Sequence, residues 1–456
     1  MAQHARTISV LPTLRAALSS ALTWHNSRPR ASLAQVRGWT WVALVAAVFF
    51  WMSNPLVFIP AFHLSLEKIT LWTTIVLVVT LPWARLPRVP WPWIVFHAVT
   101  YVSLAWTIDP HLTSYTALLY LKITLVALVI AANCEPAVVC WGMGLGGVAV
   151  VALSVYAYDK GMWGTSNAAI EGADFTGVGS NENILAYTLS VSLAAILAVR
   201  PSRHPASLFA WLVVVGVNGY GLYLSESGTG FLSALTVLLA FGIIVAWPAL
   251  RKRHRGHLLV LAGLLAAVLT GGMFLIVVVL GKELTSFSGR APFWQAAWGS
   301  TMDTSPLVGS GWGAVWTHPW SMVPPNEVAQ DIYDRAGYPL SHGHNFFVDV
   351  LPELGLLGVA LAVLMVGYAL REVVRNGLHD RTADPVAGRL ILLVLVALLV
   401  SGITEPMFTV PLGWWSLLLV VALPRQRVLR ASATRPAAQE HEDSPPAPQA
   451  TTVRAS

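Results

Sequence analysis

The chain has 456 residues, of which 55% are hydrophobic and only 11% are charged. A water-soluble globular domain carries about 25% charged residues, so this composition excludes that class and indicates an integral membrane protein. The net charge of +6 comes from basic residues at the ends of apolar segments. That pattern indicates membrane topology and no nucleic-acid partner.

Apolar segments long enough to cross a bilayer, which takes about 17–25 residues per helix, occur about twelve times. Only helices give apolar runs of this length, because the strands of a barrel alternate over about ten residues. The sequence therefore predicts an all-α integral membrane protein with about twelve transmembrane helices. In chain order the predicted spans are Trp39–Ile59, Leu64–Trp83, Trp91–Ile108, Ser114–Ala132, Ala137–Tyr158, Asn183–Val199, Ala206–Leu224, Thr229–Trp247, Leu258–Leu280, Phe346–Leu370, Leu390–Thr404 and Phe408–Leu423.

One polytopic membrane domain, residues 39–423, contains all of these spans. A cytoplasmic segment, residues 1–38, precedes it. Residues 424–456 form a cytoplasmic tail rich in Ala, Pro, Gln, Glu, Ser and Thr. The tail is predicted to be disordered, because such a composition cannot bury enough apolar surface to offset the entropy cost of folding.

Basic residues orient the predicted helices, because Lys and Arg accumulate in cytoplasmic loops. Twelve spans with both termini inside put most of the 28 basic residues on the cytoplasmic side. The exceptions are Lys68, Lys160, Lys282, Arg290 and Arg335 outside, and Lys122 within the fourth span. The long segment 281–343, between the ninth and tenth spans, is therefore predicted to be an extracytoplasmic loop.

Three charged residues near or within spans have two interpretations each. Lys122 lies near the middle of the fourth span, where a charge costs ~2.5–3.5 kcal/mol, so it needs a partner or a polar cavity. Pairing with an internal carboxylate or carbonyl is favoured over contact with a carrier phosphate. Glu226 and Glu405 lie near the outer ends of spans, where exposure to solvent explains a charge as well as an internal partner does.

The segment 281–343 is the predicted location of the active site, because it is the one long stretch that need not satisfy its backbone inside lipid. Arg290, Trp294 and Trp298 recur every four residues and predict a short surface helix. Positions at the level of the lipid headgroups are a simpler explanation for the tryptophans of this segment. These are Trp294, Trp298, Trp312, Trp316 and Trp320.

A glycine run follows, with Gly309, Gly311 and Gly313 at alternate positions. Glycines permit close approach of the backbone to a ligand, but plain turns explain such a run more simply.

The segment ends on His342-Gly343-His344-Asn345, directly before the tenth span. Free backbone N–H groups at a helix N-terminus favour an anion such as a phosphate. From Asn345, Asp349 and Glu353 follow at four-residue intervals on one face of the helix. The alternatives are that the histidines only cap the helix, or that they bind zinc. The spacing fits no specific zinc signature, so no metal is predicted.

Several motifs occur along the chain in a fixed order: Asn181 and Asn183 before Ala186, Ser225 to Thr229, Arg290 with Trp294, Pro306-Leu307 with Gly309 and Gly311, His344-Asn345, and Gly355. In this order they resemble the O-antigen ligase and polymerase superfamily. The chain departs from the family pattern at three positions: Glu182 stands in a Pro position, Gly228 in an Arg position and Val348 in a Leu position. The departure at Gly228 leaves open whether another cation replaces the missing Arg.

The resemblance implies a glycosyltransferase that moves a glycan from a polyprenyl-diphosphate carrier to an acceptor hydroxyl on the outer face of the bacterial cytoplasmic membrane, without metal or cofactor. His344 is the expected general base, with His342 as an alternate or orienting partner, and Arg290 is expected to stabilise the leaving diphosphate. The remaining expected contacts to donor or substrate are Asn345, Asn181, Asn183 and Glu353. A single displacement would invert the anomeric configuration.

The acceptor separates two functions within this family. A ligase transfers to a glycolipid or another glycan, whereas a polymerase extends the polysaccharide itself, and no residue of the sequence distinguishes them. A transporter or a flippase of lipid-linked glycans is the alternative of another class, because many spans with internal charges also describe carriers. The single long loop has no counterpart in the other half of the chain, which favours an enzyme.

Overall fold

A computed structural model describes residues 38–54, 65–82, 84–85, 88–161, 175–179, 181–199, 201, 204–250, 290–316, 325–375 and 384–433. Regular secondary structure in these residues is helical. They contain thirteen α-helices: α1 (Gly38–Met52), α2 (Ser65–Thr80), α3 (Trp91–Val102), α4 (Pro110–Asn133), α5 (Pro136–Asp159), α6 (Glu182–Ala198), α7 (Pro205–Leu224), α8 (Gly228–Leu250), α9 (Arg290–Thr304), α10 (Glu327–Ala336), α11 (Leu351–Val373), α12 (Pro385–Ser401) and α13 (Pro411–Ala433).

Eleven of these helices, all but α9 and α10, overlap predicted spans. Five helices, α4, α5, α7, α8 and α11, are long and apolar enough to cross a membrane, and several shorter apolar helices accompany them. The all-helical class and the multi-pass membrane character are therefore confirmed. The ninth predicted span, Leu258–Leu280, lies outside the described residues, so the count of twelve and the long loop stay predictions.

The helices begin where the sequence offers suitable residues. Asp109, Asn181 and Asp384 each accept a hydrogen bond from a backbone N–H in the first turn of α4, α6 and α12, at 2.9, 2.8 and 2.7 Å. Such N-caps satisfy donors that have no partner within the helix. Proline occupies the first position of α4, α5, α7 and α12, where its missing N–H costs nothing.

Helix α6 lies at the centre of the bundle, because every residue from Ile184 to Ala198 is buried. It packs against α5, α7, α8 and α12. Helix α1 packs against α5, where a Cβ added at Gly142 or Gly146 would overlap Val45 or Phe49. Small residues bring apolar helices close together. The bundle therefore holds the Asn181 end of α6 in a fixed position.

Helices α9 and α10 pack together outside the main bundle around Phe293, Trp316 and Tyr333. Arg335 of α10 joins them through an ion pair with Asp303 at 2.7 Å. Helix α9 is the predicted surface helix. The headgroup interpretation fails for Trp312 and Trp316, which are 1% and 2% exposed, whereas Trp298 is 53% exposed and remains compatible with it. Trp320 lies outside the described residues.

The glycine run crosses the start of α11 at close range. The N–H groups of Ser310 and Gly311 donate to Pro352 and Glu353 at 2.9 and 2.8 Å, and Leu356 N–H donates to Pro306 at 2.9 Å. A Cβ at Gly309 would lie 2.5 Å from the carbonyl carbon of Glu353. Gly309 therefore admits the backbone of α11, whereas a Cβ at Gly311 or Gly313 would overlap Thr107 or Thr116. The space beside these glycines is filled by the protein itself and not by a ligand, which corrects the ligand alternative.

Helix α11 is broken at Gly355, whose φ of 61° and ψ of −158° are not helical. A Cβ there would lie 2.5 Å from the carbonyl carbon of Leu307. Residues 346–350 form turns ahead of the helix, so α11 begins later than the predicted Phe346. The break lets the turns that carry the histidines leave the axis of the membrane helix.

Lys122 lies on α4 and lines an open cleft beside α2, together with Leu77, Val78 and Leu81. The predicted pairing with an internal carboxylate is not observed among the residues whose side chains are described.

Candidate active site

Three elements meet at a buried carboxylate. Glu405 follows α12, in the turn that leads to α13, and its side chain is 0% exposed. Arg290, the first residue of α9, donates from Nη2 to Glu405 Oε1 at 3.0 Å. His344, from the turns before α11, places Nδ1 3.4 Å from the same oxygen. Of the two interpretations, the internal partner therefore holds for Glu405, while Glu226 is exposed.

The two histidines stack on one another, with ring centroids 3.8 Å apart. His342 is 1% exposed and accepts the N–H of His344 at Nδ1, 3.2 Å away. This contact assigns the proton of the neutral His342 ring to Nε2. His344 adopts a positive φ of 46°, a conformation that non-glycine residues rarely adopt. Strain of this kind persists only where surrounding contacts hold it, so the turn is a fixed element.

Gly343, between the histidines, is held from two sides. Its N–H donates to Asp349 Oδ1 at 2.8 Å, and its carbonyl accepts from Trp294 Nε1 at 3.0 Å. Asp349 is fully buried, and this burial raises the pKa of its carboxyl to about 7, aided by the charge of Glu405 and opposed by the Gly343 hydrogen bond. The histidine turn is thus bonded to both α9 and its own following turn.

Asn345 uses its side chain within the protein. Its Oδ1 accepts from the N–H groups of Phe347 and Val348 at 2.9 and 3.2 Å, and its Nδ2 donates to Ile403 O at 2.9 Å. The N–H groups that were expected to attract an anion are therefore occupied. Asn345 fixes the histidine turn against the end of α12, next to Glu405.

Glu353 is the anchor of the glycine run. Its carboxylate accepts from the N–H groups of Ala314, Val315 and Trp316 at 3.0, 3.2 and 3.0 Å, and it is 1% exposed. With every contact directed at the backbone, the geometry gives Glu353 a structural role and removes it from the substrate contacts.

The upstream motifs come together beside this cluster. Asn181 caps α6, whereas Asn183 accepts from Ser227 Oγ at 2.6 Å and donates to Glu182 at 2.7 Å. The start of α8 is linked to the residue before Glu405 by a hydrogen bond of 2.7 Å between Thr229 and Thr404. Gly228, at the expected position of a cation, therefore opens a helix whose N-terminus borders the cluster.

The cluster has the composition of a metal site but contains a competing cation. One ligand atom each from His342, His344 and Glu405 lie within 4.8 Å of one another. The guanidinium of Arg290 bonds to Glu405 Oε1, and a divalent ion would have to displace this positive charge. The contacts therefore suit proton transfer and anion binding better than metal binding.

The structure thus brings Arg290, His342 and His344 together, and sequence reasoning missed Glu405. Its position between Thr404 and Pro406 at the end of an apolar segment carried no signal of burial, because the two partners lie 61 and 115 positions away.

Two comparisons with known proteins test the family resemblance. A family model described as O-Antigen ligase matches residues 208–363, a range that includes Arg290 and the histidine turn. The exopolysaccharide production protein ExoQ of Rhizobium meliloti (strain 1021) is 28% identical over 282 residues, which cover 58% of this chain and 60% of that protein. The match thus spans less than two thirds of that relative. The two similarities confirm the family resemblance that the motifs predicted.

Proposed function

We propose that this multi-pass membrane protein, similar to O-antigen ligases over residues 208–363, transfers a glycan from a polyprenyl-diphosphate carrier to an acceptor hydroxyl outside the cytoplasmic membrane. The observation that carries the proposal is the cluster of Arg290, Glu405 and His344, in which a fixed cation and a potential base share one buried carboxylate. A lipid-linked donor and a glycan acceptor are the corresponding partners in the membrane.

The reaction requires a base for the acceptor and a cation for the leaving group. His344 directs Nδ1 toward Glu405, which leaves Nε2 to take the proton of the attacking hydroxyl. The glycosidic C–O bond to the carrier breaks as the new bond forms, and its electron pair passes to the diphosphate. Arg290 can stabilise this charge through bidentate contacts that need no protonation change. Inversion at the anomeric carbon is the expected stereochemistry.

Asn183 and the start of α8 supply polar groups beside the cluster. Asn183 and Ser227 bond to each other at 2.6 Å. In our proposal they contact the donor, together with the N–H groups at the start of α8, which partly replace the cation absent at Gly228. Asn181 and Asn345 support this arrangement indirectly, through their hydrogen bonds to the backbone.

A polymerase is the second candidate. ExoQ is an exopolysaccharide production protein by name, and a protein that extends a polysaccharide would use a second lipid-linked glycan as acceptor. The same base and cation would serve either acceptor, because both reactions displace the carrier diphosphate with a hydroxyl.

Purified protein in liposomes tests these candidates. A polyprenyl-diphosphate glycan is supplied with a glycolipid acceptor, with a second lipid-linked glycan, or alone, and products are identified by mass spectrometry and anomeric NMR. We expect an inverted glycosidic product with one acceptor class, and its loss in Arg290→Ala. Exposed Trp298→Phe is the matched surface control. Movement of the donor between leaflets, with no covalent product, would support the flippase alternative instead.

Chelation tests the proposed independence of metal. Because Arg290 occupies the carboxylate that a metal would need, transfer should continue at an unchanged rate in EDTA. Restoration of a lost activity by one divalent ion would make His342 and His344 metal ligands and refute their acid–base role. Measured ion content of the purified protein gives the independent readout.

A further inference from the structure

One oxygen of Glu405 serves both reactive groups of the site. Oε1 accepts from Arg290 Nη2 at 3.0 Å and lies 3.4 Å from His344 Nδ1. The other oxygen, Oε2, is buried and has no hydrogen-bond partner among the described residues. If Arg290 or His344 were removed, the buried carboxylate would therefore have only the other residue as a partner.

The three side chains differ in their access to solvent. The Arg290 side chain is 14% exposed, the His344 side chain 11%, and that of Glu405 0%. A diphosphate carries more negative charge than one carboxylate and is the stronger partner for a guanidinium. Arg290 can turn to such a ligand at the open side of the site, whereas Glu405 cannot follow it.

This turn would leave Glu405 as a buried anion without its cation. An uncompensated buried charge is costly, and a nearby opposite charge favours the charged form of a titratable group. His344 is the neighbour that can become positive by gaining a proton. The other titratable groups facing Glu405 are His342, Asp349 and, from α6, Tyr187, on whose hydroxyl the charge of Glu405 acts.

We propose that Glu405 is a positioning residue that couples donor binding to base function, an inference that rests on the proposed transferase activity. In the donor-free protein Glu405 holds Arg290. When the diphosphate takes Arg290, Glu405 orients His344 and stabilises its positive form. The acceptor proton then passes to Nε2 of His344 while its Nδ1–H donates to Glu405, and the carrier diphosphate leaves with the electron pair of the broken bond. Acceptor binding without donor does not prepare the base.

Substitutions at position 405 test the coupling. Glu405→Gln keeps the shape but removes the charge, Glu405→Asp keeps the charge, and Glu226→Gln is the matched control at an exposed outer glutamate. Donor affinity is measured with the polyprenyl diphosphate in detergent, and turnover is measured against pH at saturating donor. Thermal unfolding reports whether each variant is folded.

For Glu405→Gln we expect donor affinity to be unchanged or tighter, because the carboxylate that competes for Arg290 is gone. Turnover should fall by about 10²-fold. The acidic limb of its pH profile should move toward acid by about one pH unit, because the charge that favours the protonated base is absent. Glu405→Asp should keep the wild-type limb, and Glu226→Gln should match the wild type throughout.

Weaker donor binding in Glu405→Gln with an unmoved acidic limb would reduce Glu405 to a structural support for Arg290 and overturn the coupling. If Glu405→Gln does not fold, Glu405→Asp becomes the test. The acidic limb of its pH profile must then coincide with that of the wild type. Loss of turnover in Arg290→Ala and His344→Ala alongside a fully active Glu405→Gln refutes only the coupling. Full activity in all three refutes the proposed function itself.

Discussion

His344 and His342 differ in what they face, although their rings are stacked. His344 is beside Glu405 and 8% exposed, whereas His342 is 1% exposed and accepts the N–H of His344. His344→Ala should therefore lower turnover by about 10²–10⁴-fold with donor binding largely intact, as loss of a general base does. His342→Ala should cost less, because it removes an orienting contact. Turnover and donor affinity are measured for each variant.

Trp298→Phe is the control for these variants, because Trp298 is exposed. Trp316 is unsuitable, since it is buried and donates to Asp349 O at 2.8 Å. Near-normal turnover of folded His344→Ala would remove it as the base. Normal turnover of His342→Ala as well would eliminate the histidine mechanism.

The raised pKa of Asp349 gives the histidine turn a pH dependence. Its carboxyl has a pKa of about 7 in the folded protein, against the ordinary aspartate value of 3.8, so folding favours the protonated form. The resulting stabilisation is complete below the ordinary carboxyl pKa and is lost as pH rises toward and through 7. The melting temperature of the purified protein should therefore fall over this range. Asp349→Asn, which keeps the acceptor for Gly343, should flatten the dependence, and an equally steep decline in that variant would contradict the assignment.

The residue types of the site could be predicted from the sequence, but their partners could not. Arg290, His342 and His344 stand in recognisable motifs, whereas Glu226 and Glu405 look alike as single acids at the ends of apolar runs. One is exposed and the other is 0% exposed. Burial of Glu405 depends on contacts with two distant segments, which no local pattern encodes. Asn181 shows the opposite case, because an asparagine before a helix predicts a cap, and Asn181 caps α6.

At the scale of elements, the crossing of the glycine run over α11 positions the histidine turn. Gly355→Ala would force a side chain into a positive φ of 61° and against Leu307. We expect a loss of stability of about 1–3 kcal/mol, measured as a lower melting temperature, together with reduced turnover. Gly367→Ala in the same helix is the matched control, because nothing lies within 4 Å of an added Cβ there. Equal behaviour of the two variants would show that the crossing is not required.

Apolar length predicted where most helices lie, because it is a local property. The break at Gly355 was not predicted, because only the neighbouring backbone at 306–311 explains why a helix tolerates the conformation of this residue. The same long-range contact accounts for the late start of α11. Glycine spacing indicated a close approach of the backbone but not what approaches it.

At the scale of the whole molecule, the proposed mechanism depends on the side of the membrane that the cluster faces. Lys and Arg accumulate in cytoplasmic loops, and the basic segment after α8, Arg251-Lys252-Arg253, lies in the sequence at the opposite end of that helix from Gly228. Gly228 borders the cluster. If the basic segment lies inside, the cluster therefore lies outside, so the two locations form a single prediction. Donor glycans on the outer leaflet would then reach Arg290 without crossing the bilayer.

Single cysteines test this orientation with little background, because Cys134 and Cys140 are both buried. Glu327→Cys replaces an exposed residue of α10. His204→Cys replaces an exposed residue just before α7, at the predicted cytoplasmic face. A membrane-impermeant maleimide should label position 327 in intact spheroplasts and position 204 only after lysis. The parent protein and a cytoplasmic marker control for leakage. Labelling in the reverse order would place both termini outside and the cluster in the cytoplasm, where the proposed outer-face transfer could not occur.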